Sequence, residues 1–107
     1  MSDQSVSPEA IFQQAMQAHQ TGQPQQAIAL LEDLLQRLPD DDAVLAALGA
    51  IQLSTGNVEV AKSILEQALA SNPNNVDAQV NMGIVLQSTG DVAAGIDKNL
   101  FVSYLIF

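Results

Sequence analysis

Between Pro24 and Leu38 the apolar positions Ile28, Leu31, Leu34, Leu35 and Leu38 return every three or four residues, the spacing of a helix that buries one stripe. The stretch "EVAKSILEQALA", Glu59 to Ala70, has the same period. Between them "AVLAALGAIQL", Ala43 to Leu53, is apolar almost all the way round, unlike a helix with a solvated face. Polar and small residues punctuate these runs at a fixed interval. Gly22, Gly56 and Gly90 are 34 residues apart, Ser-Thr-Gly occurs at 54–56 and again at 88–90, and Pro39 and Pro73 keep the same interval. Three independent marks in one period define an internal repeat, with units 8–41, 42–75 and 76–107, the last degenerate.

The punctuation predicts what each unit contains. Ser7-Pro8-Glu9 is a helix start: a serine cap, a proline whose missing N–H is not needed there, then an acid facing the helix dipole. Asp40-Asp41-Asp42 and Asn74-Asn75 take that part in the later units. Glycine at each stop can turn left-handed and satisfy the last carbonyls. Second starts follow at Gln23-Pro24, Asn57 and Asp91, where the Asn and Asp side chains are expected to accept from exposed helical N–H groups. The expectation is an all-α chain of antiparallel helix hairpins, with six helices near 8–20, 24–38, 42–54, 58–71, 76–88 and 92 onward.

At this level of detail the residues resemble the tetratricopeptide repeat family, whose signature is a large residue, Leu-Gly, an aromatic, a later Ala, a large residue and Pro. The middle unit supplies Leu45, Leu48-Gly49, Gln52, Ala61, Leu65 and Pro73, and the first supplies Ile11, Gln14-Ala15, Ala18, Ala27, Leu31 and Pro39. The third opens with Met82-Gly83 and Leu86, then departs at Gly95, Asn99 and Phe107. The resemblance implies three hairpins stacked as a short right-handed superhelix, an α-α solenoid over 8–107, preceded by a flexible tail at 1–7. Ala15, Gly49 and Gly83 on first helices, and Ala27 and Ala61 on second helices, are small enough for the backbones to approach closely.

Composition narrows the function. Three Lys and Arg against twelve acids give a formal net charge of −9, which disfavours nucleic acid and anionic membrane surfaces. There is no cysteine and a single histidine, His19, so neither a thiolate nucleophile nor a His pair for metal or relay chemistry is expected. Asp40-Asp41-Asp42 reads as capping and dipole compensation. No glycine-rich phosphate loop occurs. The polar, acidic start lacks the basic then apolar pattern of a secretory signal, and no apolar run is long enough to span a bilayer. These features predict a non-catalytic, cytoplasmic protein without cofactor or metal.

In the repeat family one stripe of each first helix lines the concave groove. Carried over, it comprises Phe12, Met16 and His19; Ala46, Ala50 and Leu53; and Val80, Ile84 and Gln87. Family members that clamp a C-terminal carboxylate use Lys, Arg and Asn there, whereas this stripe has no cation. The expected function is a protein-protein interaction module that holds an apolar or amphipathic peptide segment. The alternatives are the N-terminal repeat segment of a larger enzyme, such as a glycosyl- or sulfotransferase, and a self-assembling scaffold.

The last nine residues, "NLFVSYLIF", break the repeat. Leu100, Phe101, Tyr104, Leu105 and Phe107, with Val102 and Ile106, are too many apolar residues for one buried stripe, and an exposed patch of that kind marks an interface. The chain is therefore predicted to form a homo-oligomer through this tail. Light scattering should find an oligomer for the full chain and a monomer for a version ending at Lys98; a monomeric full chain removes the proposal.

Overall fold

The computed structural model describes residues 7–89. They form five helices: α1 (Pro8–Gln20), α2 (Pro24–Arg37), α3 (Asp42–Ser54), α4 (Val58–Ser71) and α5 (Val76–Thr89). Each agrees with the repeat reading to within a residue. The expected sixth helix lies outside the described residues, as do its start at Asp91, Gly90, Gly95, Asn99 and the tail residues Leu100, Phe101, Tyr104, Leu105 and Phe107.

The first helix of each unit starts on a side-chain cap. Ala10 N–H donates to Ser7 Oγ at 3.2 Å, Val44 N–H to Asp41 Oδ1 at 3.1 Å, and Ala78 N–H to Asn75 Oδ1 at 2.8 Å. The turns inside the first two hairpins also match. Gly22 and Gly56 have φ of 82° and 90°, and the following residue reaches back five positions: Gln23 N–H to Ala18 O at 2.8 Å, and Asn57 N–H to Gln52 O at 2.9 Å. Only glycine adopts this backbone without strain, which fixes the 34-residue interval.

Asn57 corrects one expectation. It occupies the cap position of α4 but makes no side-chain cap bond. Its Nδ2 instead donates backwards, to Gln52 Oε1 at 2.8 Å and Thr55 Oγ1 at 3.2 Å. Gln52 is only 8% exposed, and a buried amide oxygen left without a donor is costly. Satisfying it takes precedence over capping α4.

The core is continuous through α3. Val44, Leu48 and Ile51 pack with Ile11, Ala15, Leu31 and Leu34 of the first hairpin. Leu45 and Ala46 pack with Ala61, Leu65, Met82 and Val85 of the next layer. Leu35 and Ile64 touch both clusters. The all-round apolarity of α3 therefore reflects burial among α2, α4 and α5.

Ala15, Ala27 and Ala61 have no exposed surface, and Gly49 is buried. A Cβ on Gly49 would lie 2.7 Å from both Cγ and Cδ2 of Leu65. The clash involves the branch carbon, so rotating a methyl group does not relieve it. Gly49→Ala should overpack the middle hairpin by roughly 1–3 kcal/mol, offset by about 0.5–1 kcal/mol of helix propensity, for a net loss. Ala61→Leu, without that offset, should cost roughly 1–3 kcal/mol. Urea midpoints unmoved by both changes would contradict the packing.

Candidate functional site

The first helices α1, α3 and α5 border one open cavity of about 530 Å³. Helix α1 contributes Phe12, Met16 and His19, and α3 contributes Ala43, Ala46, Ala47, Ala50 and Ile51. The far wall is Asn75, Asp77 and Asn81, at and after the start of α5. A smaller cavity of about 260 Å³ lies behind Phe12, between the start of α1, the end of α2 and the start of α3. Phe12 and Ala43 line both cavities.

Five residues assigned to the groove from sequence line this cavity together: Phe12, Met16, His19, Ala46 and Ala50. Ala46 is 3% exposed and also belongs to the core, while Phe12 and Met16 are half-buried. The other four fall outside the lining. Leu53 is half-buried against the second core cluster. Val80 and Ile84 are 40% and 42% exposed and, with the exposed Gln87, are outside the cavity lining. The cavity reaches α5 through Asp77 and Asn81, and at about 100° per residue Ile84 continues the Asp77 side of the helix two turns further along. Sequence reasoning missed this polar wall because an apolar stripe was extended along α5 with the same offset as on α1.

Among the described residues no group of three or more His, Cys, Asp or Glu could hold a metal ion, and no helix is long and apolar enough to cross a membrane. The three consecutive acids near the groove are divided between different structural tasks. Asp41 caps α3, and Asp40 contributes a backbone carbonyl that accepts from Ser71 Oγ. Asp42 Oδ2 accepts from Asn72 Nδ2 at 3.0 Å and Asn75 Nδ2 at 2.7 Å. Since Asn75 also caps α5, this one carboxylate fixes the start of α5 relative to α3. The cross-repeat role was not visible in the sequence, where Asp42 and Asn75 are 33 positions apart.

A family model described as tetratricopeptide repeat matches residues 18–67. The matched stretch, from the end of α1 through most of α4, is similar to tetratricopeptide repeats. Among solved structures, the second tetratricopeptide repeat domain of Spaghetti (RPAP3), bound to the HSP90 peptide SRMEEVD, aligns with a TM-score of 0.82 and 14% identity, over 97% of this chain and 94% of that one. MamA from Desulfovibrio magneticus RS-1 aligns with a TM-score of 0.79 and 16% identity, over 92% of this chain and 54% of that one. The Thermobaculum terrenum O-GlcNAc transferase aligns with a TM-score of 0.80 and 25% identity, over 97% of this chain and 20% of that one. The chain thus spans about half the length of the MamA chain and a fifth of the transferase. At their identities, the first two similarities speak to the fold alone. The fold is an all-α tetratricopeptide repeat solenoid.

Within this fold the Asp42 clamp has a pH signature. The Asn75 and Asn72 amides hold the Asp42 carboxyl below its usual value of 3.8. A lowered folded-state pKa gives stability that is present above the unfolded value and is lost as pH falls through the folded one. Asp42→Asn should therefore be less stable than the parent chain at neutral pH. The gap should narrow as pH falls below the usual carboxylate value of 3.8 and close once Asp42 is protonated in the folded state as well. A gap that persists unchanged at the acid end, read by urea denaturation, would contradict the clamp.

Proposed function

We propose that the domain is a non-catalytic interaction module that holds an apolar or amphipathic peptide segment against α1, α3 and α5. The supporting observation is the open cavity of about 530 Å³, floored by Phe12, Met16, Ala46 and Ala50. Pre-formed apolar concavities with a few polar groups at the edge are the usual form of a binding site. Because the floor belongs to packed helices, little ordering cost falls on the protein when a segment binds. A ligand longer than the cavity continues over Val80, Ile84 and Gln87.

The RPAP3 domain is bound to a peptide ending in Glu-Glu-Val-Asp. The chemistry favoured here is different. No Lys or Arg is among the described residues lining the cavity, and the chain carries a net charge of −9. An acidic peptide would meet repulsion with no compensating pair. The similarity to one fifth of the transferase supports a second reading, in which the same groove is the docking arm of a larger protein. A role in self-assembly through Leu100, Phe101, Tyr104, Leu105 and Phe107 is compatible with either.

Ala50→Glu puts a charge on the cavity floor and should weaken binding of a labelled Leu-rich amphipathic peptide by about tenfold or more. Ile84→Glu, outside the cavity, should have a smaller effect, and Ala29→Glu on the exposed face of α2 should have none. Fluorescence anisotropy that finds all three variants equal to the parent would overturn the groove assignment.

A further inference from the structure

The cavity is asymmetric: apolar on α1 and α3, polar on α5. The hydrogen bonds show what that polar wall can offer. Asn75 is fully engaged, with Nδ2 donating to Asp42 and Oδ1 accepting from Ala78 N–H. Asn81 donates one Nδ2 hydrogen to Asp77 O at 2.9 Å, which leaves Oδ1 as an acceptor beside the second N–H. Asp77 is exposed and, when ionised, accepts only. It is the one carboxylate among the described lining residues. The wall therefore offers acceptors and negative charge.

No cation of the domain lies among the described residues that line this wall. Arg37 is on α2, 3.9 Å from Asp33 of the same helix. Lys62 is on α4, and neither residue is among the described lining. A segment that fills the apolar floor while leaving these acceptors desolvated and unmatched would lose affinity. A segment with a donor at that edge matches them.

We infer that the groove selects an amphipathic helical segment carrying a Lys or Arg beside its apolar anchors, and that Asp77, assisted by Asn81 Oδ1, reads that cation. This deepens the groove reading and rests on it. Asp77 thus determines which apolar segments are accepted, while Phe12, Met16, Ala46 and Ala50 supply the burial. Chain-wide negative charge acts on any cationic peptide at long range and is screened by salt. A direct contact with Asp77 is local to one position of the peptide.

The test uses the full chain and three synthetic amphipathic helical peptides that share an apolar face and differ at one flanking position: Lys, Gln or Glu. Anisotropy should give a Lys peptide about fivefold tighter than the Gln peptide, the size of a partly exposed ion pair, and the Glu peptide weaker than both. Asp77→Asn should bring the Lys-to-Gln ratio to about one while leaving Gln-peptide affinity within about twofold. Glu66→Gln, which removes the same charge from the exposed face of α4, should leave the ratio as in the parent. Equal ratios in the parent and Asp77→Asn would overturn the role of Asp77 but keep the groove. Loss of the ratio in Glu66→Gln would assign the preference to bulk charge and also overturn it. Failure of all three peptides to bind would overturn the groove reading with it.

Discussion

The close approach of α3 to α4 is the constraint on which the layers depend. Gly49 has no room for a single added carbon against Leu65, and Ala61 on the facing helix is fully buried. With the hairpin closed this tightly, α3 has side chains to spare on its other faces. Val44, Leu48 and Ile51 close the first core, and Leu45 and Ala46 the second. Larger residues at these contacts would widen the hairpin and pull Ala46 and Ala50 away from the concave side. The groove is thus a consequence of small residues placed one period apart, since a repeat alone cannot bury its apolar face.

Much of this was legible from punctuation. Glycine at 22 and 56 permits the positive φ at which a helix stops, and serine or acid before an apolar run supplies a cap, so the helix boundaries follow from local chemistry. The apolar side of the cavity was legible only through the family resemblance, whose groove stripe carries Phe12, Met16, Ala46 and Ala50 on to the cavity lining. What escaped the sequence depends on contacts between distant residues. Asn57 looks like a cap until the buried amide of Gln52 is seen to need its Nδ2. Asp42 looks like one of three equivalent acids until Asn72 and Asn75 converge on it.

Gln79 is the clearest case of a polar group taking an apolar position. One period earlier stands Leu45, and two periods earlier Ile11, all three buried. Gln79 donates its Nε2 to Pro73 O at 2.7 Å, fastening the α4 to α5 turn, while its Oε1 has no hydrogen-bond partner. Together with the Asp42 clamp, this gives the third unit a polar attachment where the first two use hydrocarbon. The same turn delivers Asp77 to the cavity wall, so the change in packing chemistry coincides with the change in groove chemistry.

The central claim is that the concave surface of α1, α3 and α5 is the working face and the second helices are scaffold. Methyl chemical shifts recorded while a cationic amphipathic peptide is titrated into the full chain test this most directly. The account predicts shifts at Met16, Ala46, Ala47 and Ala50, with Ala29 on α2 and Ala70 on α4 unmoved. Shifts confined to Ala29 and Ala70, with the groove methyl groups silent, would contradict it.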